Sequence, residues 1–247
     1  MPRDTGSVRG MTSKPQLDGH VAIVTGGSRG IGLAVARGFV ARGGKVVISG
    51  RSQADLDTAV AQLGPSVAVV RGDVADPSVA EALVKTAVDR FGGLDSLINN
   101  AGVATFTNVA DMNADDWHRM IATNLTGVFL CTKAAIPALK QRRGGWIINI
   151  SSLAGRNSFA GGAAYCATKA GLNAFAESVM LEVRQDNIRV STVMPGSVQT
   201  SFSKGGDAPE HDWKLSADDV AQVVFDLLAH STRSLPSRVE IRPSKPK

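Results

Sequence analysis

Thr25-Gly26-Gly27-Ser28-Arg29-Gly30-Ile31-Gly32 decides the fold. It follows a short apolar run at residues 20–24. It opens onto residues 31–42, where Ile31, Val35 and Phe39 recur on one helical face. A strand-to-helix turn of this kind uses each glycine differently. Gly26 permits a tight turn, Gly30 lets backbone approach an anion, and Gly32 allows the helix to pack closely on the sheet. The first N–H groups of the helix lack intrahelical partners and face a pyrophosphate. The spacing is Gly-x-x-x-Gly-x-Gly rather than Gly-x-Gly-x-x-Gly, so the strand before and the helix after carry the assignment against an ordinary glycine-rich loop.

Outward from the turn the same rhythm repeats. Apolar strands are expected at 45–49, 67–71, 95–99, 146–150, 188–194 and 238–241. Helices are expected at 54–63, 77–91, 113–140, 162–185 and 217–229, with Asn113 and Ser216 as N-caps. Continuous apolar strands separated by helices imply an α/β, three-layer, doubly wound fold: a seven-stranded parallel sheet covered on both faces, with ligands outside the carboxyl ends of the strands. Residues 1–17 read as a flexible tail and 18–247 as one domain of this Rossmann type.

The second strand identifies the dinucleotide. NAD sites place an acid about 20 residues beyond the turn to hold the ribose 2′-hydroxyl. Here the strand ends Ile48-Ser49-Gly50-Arg51-Ser52, without one. Arg51, with Arg29 inside the turn, is suited to a 2′-phosphate; each is equally suited to a solvated surface. NADP(H) is therefore favoured over NAD(H). Asp73-Val74 closes the third strand, where the carboxylate either receives the adenine amino group or caps the turn before Pro77. Asn100, Ala101 and Gly102 follow the fourth strand and suit either backbone contact with a ribose or a plain loop.

Tyr165, the single tyrosine of the chain, and Lys169 stand one helical turn apart on one face. A phenol of pKa about 10 is a poor base at neutrality, and a neighbouring ammonium lowers that value. The pair forms an acid/base for an alkoxide or alcohol. Ser152 ends the preceding strand, where its hydroxyl can hold the substrate oxygen. Asn124 lies within a helix interior, a poor place for Asn unless it has a buried hydrogen-bonding task.

The glycine turn, Asn99–Gly102, Asn124, Ser152, Tyr165-x-x-x-Lys169 and Pro195-Gly196 together resemble the short-chain dehydrogenase/reductase family, over about residues 18–245. The resemblance implies an oxidoreductase moving a hydride between nicotinamide and a carbonyl or secondary alcohol. Ser152, rather than Ser151, would be the family serine, and Ser152 and Tyr165 would hold the substrate. Tyr165 would be the acid/base and Lys169 would also bind the nicotinamide ribose. Asn124 would hold a water in a proton relay. Ser28, Arg29, Gly30 and Ile31 would surround the pyrophosphate, and Pro195, Gly196, Val198 and Thr200 the nicotinamide. The family implies a homotetramer or dimer through the two long helices; no metal site is expected in this sequence. A non-catalytic dinucleotide sensor on the same fold would not need the Tyr165, Lys169, Ser152 and Asn124 set.

The substrate is less defined. Many family members of this length resemble 3-oxoacyl-carrier-protein reductases, which dock an acidic carrier through basic residues. Arg142-Arg143 suits that role, but Asp186-Asn187 stands where a second basic residue would help. A generic ketone, aldehyde or alcohol is the other reading. Residues 197–213 look like a short polar lid, in which Phe202 and Trp213 either close over a substrate or anchor the loop. Residues 155–164 form the opposite wall, with Phe159 among small residues.

Net charge is +5. Its excess sits at the ends: Arg3, Arg9 and Lys14 in the first residues, and Arg233, Arg238, Arg242, Lys245 and Lys247 in the last. A near-neutral body with basic ends is a poor nucleic-acid footprint. Two cysteines, Cys131 and Cys166, make no disulfide framework. The expected location is cytoplasmic. No run reads as long and apolar enough to span a bilayer, so no membrane partner is expected.

Overall fold

Val21–Val24 (β1), Lys45–Gly50 (β2), Val67–Arg71 (β3), Ser96–Asn99 (β4), Gly145–Ile150 (β5), Ile188–Pro195 (β6) and Arg238–Ile241 (β7) form one sheet. Its order is β3-β2-β1-β4-β5-β6-β7, and every pairing is parallel. The computed structural model describes residues 16–200, 202 and 212–246. The helices that return the chain between strands are Gly30–Val40 (α1), Gln53–Leu63 (α2), Pro77–Phe91 (α3), Ala114–Ile121 (α4), Gly127–Gln141 (α5), Ala163–Val183 (α6) and Ala217–Leu228 (α7).

The strands are apolar on both faces because both faces are covered. Val46 and Ile48 of β2 join the cluster under α1, α2 and α7, around Val35, Phe39, Leu56 and Phe225. Val47, pointing the other way, joins Leu83, Leu97, Leu139 and Val179 under α3, α5 and α6. Local signals set the helix ends. The Asp76 side chain accepts from the Ser78 N–H ahead of Pro77, and Gly92 ends α3 in a left-handed conformation (φ 84°), its N–H bonded to the Val88 carbonyl. Winding reverses between β1 and β4, so the loops at their carboxyl ends diverge and leave a crevice. All the expected chemistry falls along it.

Three expectations need correction. The helix expected at 113–140 has Asn113 as its cap, but it is interrupted by a π-turn, Ala122–Thr126. Such a turn inserts one residue into the helical ladder and rotates the residues beyond it. The combined stretch Ala114–Gln141 is also long and apolar enough, by length and composition, to cross a membrane (mean hydropathy 1.2). Its apolar side packs on the sheet: Cys131, Ala135, Ala138 and Leu139 are core residues. The third concerns the tail. Leu17 is packed in the core, its N–H donates to the Arg42 carbonyl at 2.8 Å, and its own carbonyl accepts from the His20 N–H. The tail reading therefore fails at Leu17, while residues 1–15 lie outside the described residues.

Candidate active site

At the phosphate end, Gly26 (φ 62°) and Gly30 (φ 54°) adopt left-handed conformations that a side chain would strain. Thr25, buried at the end of β1, staples this turn to β4. Its Oγ1 accepts from the Asn100 and Ala101 N–H groups, each at 3.0 Å, while Asn100 Nδ2 donates to the Thr25 carbonyl at 2.9 Å and the Gly26 carbonyl at 3.2 Å. The glycine roles differ from expectation at one position. Gly27 is the glycine that packs on the sheet, since a Cβ there would lie 2.6 Å from Ile48 Cγ2. Gly32 instead backs onto the Gly26 carbonyl and the Asn100 amide, closing the turn upon itself.

The residues present fit a dinucleotide. Helices α2, α3, α4 and α7 are capped by Ser52, Asp76, Asn113 and Ser216. Helix α1 begins after Arg29, as α6 does after Gly162, with no side-chain cap among the described residues and no acid in its first turn. Its first N–H groups border a cavity of about 900 Å³ lined by Ser28, Arg29, Gly30 and Ile31, which suits an anion.

That cavity runs on to Arg51, Asp55, Asp73 and Val74 at one end. Arg51 stands 3.7 Å from Asp73, and Asp73 Oδ1 also accepts from the Ala75 N–H, so the carboxylate both holds its turn and faces the cavity. Asp55 is an addition to the expected residues. Its one signal, the Ser52-x-x-Asp55 helix start, reads as capping alone.

Toward the other end the cavity is lined by Asn100, Ala101, Gly102, Ser152, Tyr165, Lys169, Pro195, Gly196, Val198 and Thr200. The β6 exit is pinned there: the Gly196 N–H donates to the Ile241 carbonyl, and Val198 bridges Leu215. Of the expected site residues, Gly32 and Asn124 do not line the cavity; both act from behind it. Asn124 is fully buried in the π-turn. Its Oδ1 accepts from the Val103 N–H at 2.9 Å, and its Nδ2 donates to the Val103 carbonyl at 2.9 Å and Thr168 Oγ1 at 3.0 Å. The side chain is thus committed to protein partners, clamping the segment after Gly102 onto the helix that carries Tyr165.

Ser152 and Ser151 have separate tasks. Ser151 Oγ donates to Asn173 Oδ1 at 2.6 Å. Ser152 Oγ accepts from the Ala154 N–H at 3.1 Å, which leaves its own proton to give. Lys169 is buried, and its Nζ donates to the Ile150 carbonyl at 2.9 Å and lies 5.8 Å from the centre of the Tyr165 ring. Burial penalises its charge and pulls its pKa down to about 8. Burial also raises the Tyr165 phenol, more than the hydrogen bond from Ser152 lowers it. The lowering expected from Lys169 is therefore not what governs Tyr165 in this geometry; desolvation is.

Aromatic side chains share the cavity with the tyrosine. Phe106, Phe159, Phe202 and Trp213 all line the cavity. Phe106 lies in an irregular loop without periodicity and gives no sequence signal. Phe202 stands with its ring 6.0 Å from that of Tyr165. Gly205, Gly206, Asp207 and Glu210 of the expected lid lie outside the described residues. Arg142, considered for carrier docking, is 3.4 Å from Asp95, which precedes β4 at the amino ends of the strands, the opposite end of the sheet from the cavity.

A family model described as short chain dehydrogenase matches residues 20–210. A 3-oxoacyl-[acyl-carrier-protein] reductase of Synechocystis sp. is 39% identical over 196 residues, 78% of this chain and 79% of the relative. A trans-4-hydroxycyclohexanecarboxylate dehydrogenase of Sinomonas cyclohexanicum is 41% identical over 217 residues, 84% of this chain and 83% of the relative. Among solved structures, an alcohol dehydrogenase from the archaeon Thermococcus sibiricus, complexed with 5-hydroxy-NADP, superposes with a TM-score of 0.84 at 29% identity, covering 92% of this chain and 99% of that one.

Proposed function

Because the chain belongs to the short-chain dehydrogenase family, as an oxidoreductase of alcohols and carbonyls, we propose that it uses NADP(H) and reduces a ketone or aldehyde, or oxidises the matching alcohol, with Tyr165 as acid/base. One observation carries this reading: the Tyr165 phenol, Ser152 hydroxyl and Lys169 ammonium meet in a cavity whose other end is an uncapped helix N-terminus beside Arg29 and Arg51.

A bound reduced nicotinamide would supply the hydride, a hydrogen nucleus with its electron pair, to the carbonyl carbon. The protein does the rest. Ser152 donates a hydrogen bond to the carbonyl oxygen. Tyr165 gives that oxygen its phenolic proton and regains one from solvent. Burial keeps the phenol protonated at neutral pH, so the site is prepared for reduction. Oxidation needs the phenolate, toward which the hydrogen bond from Ser152 lowers the phenol against its burial. A screen of ketones, aldehydes and acyl thioesters for NADPH oxidation tests the reading: consumption with matching alcohol formation is expected, and none with any carbonyl would overturn it.

The NADP(H) preference rests on Arg51 and Arg29. The NADP-type ligand in the Thermococcus sibiricus relative is in keeping with it. Asp55 and the pairing of Arg51 with Asp73 partly offset the positive charge there, so Arg51 must be shared between Asp73 and a phosphate. Losing a charge-assisted bond of this kind is expected to weaken NADPH by about 10- to 100-fold in Arg51→Ala. NADH should change by less than about 3-fold, since it carries no 2′-phosphate. Titrations of both cofactors check this; equal losses would remove the assignment.

We also assign a homo-oligomer to the long helices, supported by exposed Trp117 on α4, Phe129 on α5 and Leu181 on α6.

A further inference from the structure

Three phenylalanines stand partly in solvent where an apolar side chain gains nothing: Phe106 is 46% exposed, Phe159 48% and Phe202 41%. All three line the same cavity as Tyr165. Phe106 meets the Tyr165 ring edge-on, 5.6 Å between centres at 85°, and Phe159 lies 5.7 Å from Phe106 at 55°. Phe202 approaches Tyr165 from its own loop, 6.0 Å away at 58°.

The first two rings are held from behind. The Thr107 N–H donates to the Gly161 carbonyl at 2.8 Å, joining the two loops that carry them, and the Gly162 N–H donates to the Phe159 carbonyl at 3.1 Å within the second loop. Arg119 Nη2 donates to Thr105 Oγ1 at 3.0 Å, tying the Phe106 loop to α4. The Phe159 ring lies against Gly162, which precedes the Tyr165 helix; a Cβ there would be 2.5 Å from that ring. These are aromatic walls beside the Tyr165 ring, carried on loops tied together through their backbone.

Resting on the function proposed above, we infer that the substrate carries a hydrophobic ring at or next to its reacting carbon, so that the carbonyl is a cyclic ketone or a ring-borne one rather than the end of a straight acyl chain. Aromatic walls set at an angle present edges and faces that a flat or puckered ring meets over much of its surface, and burying those faces removes exposed apolar area from water. A ring also enters with few rotors to freeze, whereas each bond of a flexible chain costs entropy on ordering.

The test compares cyclohexanone with hexan-2-one, ketones of equal carbon number, by NADPH oxidation in the wild-type protein and in Phe106→Ala. The ring ketone is expected to have the higher kcat/KM by about 10-fold or more, as loss of one buried aromatic contact would give. Phe106→Ala should lower cyclohexanone by about 10- to 100-fold and hexan-2-one by only about 3-fold, because less of the chain meets that wall. Binding is read separately by saturation-transfer NMR on cyclohexanol added to the protein with NADPH, a complex that cannot react. Transfer to the ring protons is expected, and Phe106→Ala should remove it. Phe106→Leu keeps the apolar volume and should recover only part of the ring preference. Equal or better turnover of hexan-2-one, or cyclohexanol transfer indifferent to Phe106→Ala, would overturn the ring inference and leave the redox reading intact. Ring binding by NMR without oxidation of NADPH by any carbonyl would do the reverse.

Discussion

Tyr165→Phe should abolish carbonyl reduction, lowering kcat by about 10²- to 10⁴-fold, the share a positioned general acid contributes. NADPH affinity should stay within about 3-fold, because a phenyl ring keeps the apolar contacts and only the proton donor is gone. Phe106 and Phe202 pack on the ring rather than on the hydroxyl, so the variant retains its walls. The pH dependence comes from the direction of the Tyr165 shift. Burial raises the phenol, so reduction should be level through neutral pH and fall only above the ordinary tyrosine range. Oxidation of the matching alcohol, which needs the phenolate, should rise with pH over that alkaline range. Steady-state rates across pH, with NADPH binding followed by fluorescence, check both. Turnover retained within about tenfold in the variant would remove Tyr165 from the chemistry, since that loss lies below what general acid catalysis supplies.

Gly32→Ala should disable cofactor binding without a charge or a hydrogen-bonding group being removed. The added Cβ would fall within contact distance of the Gly26 carbonyl oxygen and 2.5 Å from Asn100 Nδ2. Neither can yield alone. The Gly26 carbonyl and the Thr25 carbonyl both take their hydrogen bonds from that amide, and Thr25 in turn holds the backbone of Asn100 and Ala101. The turn must open, and the α1 N–H groups turn away from the anion. Overpacking of this sort costs about 1–3 kcal/mol, and we expect NADPH to weaken by about 10- to 100-fold with a lower melting temperature. Gly171→Ala is the control. Its Cβ would meet only Leu125 side-chain atoms, at an ordinary 3.4 Å, in the interior of α6, so it should leave both quantities essentially unchanged. Calorimetric titration with NADPH and thermal unfolding give the comparison.

Much of the fold is legible in the sequence because its determinants are local. Runs such as Val46-Val47-Ile48 are apolar without alternation, which only a sheet covered on both faces tolerates. Tyr165 and Lys169 sit together because helical spacing puts them there. The features that escape a sequence reading depend on distant segments meeting. Gly27 and Gly32 differ only in what approaches them, Ile48 in one case and the Gly26 carbonyl with Asn100 in the other. The π-turn that buries Asn124 inserts a single residue within a stretch that is otherwise helical from Ala114 to Gln141, and its buried partners, Val103 and Thr168, come from other segments. Phe106 gains meaning only when the loop after β4 lies beside the loop before α6. The pairing of Arg51 with Asp73 joins the ends of two strands that are neighbours in the sheet but separated by a whole helix in the chain. Leu17 reads as tail because its hydrogen bond to Arg42 comes from the turn after α1, not from its own neighbours in sequence.

The reaction proposed for this site is hydride transfer from nicotinamide to a carbonyl carbon at Tyr165. It is tested most directly by incubating the protein with NADPH deuterated at the transferable C4 position and cyclohexanone, then analysing the product by mass spectrometry. One deuterium on the carbinol carbon of cyclohexanol is the expected result, with the label absent from the product of the Tyr165→Phe reaction because too little alcohol forms. Alcohol without deuterium at that carbon, or equal labelled product from the variant, would contradict the account.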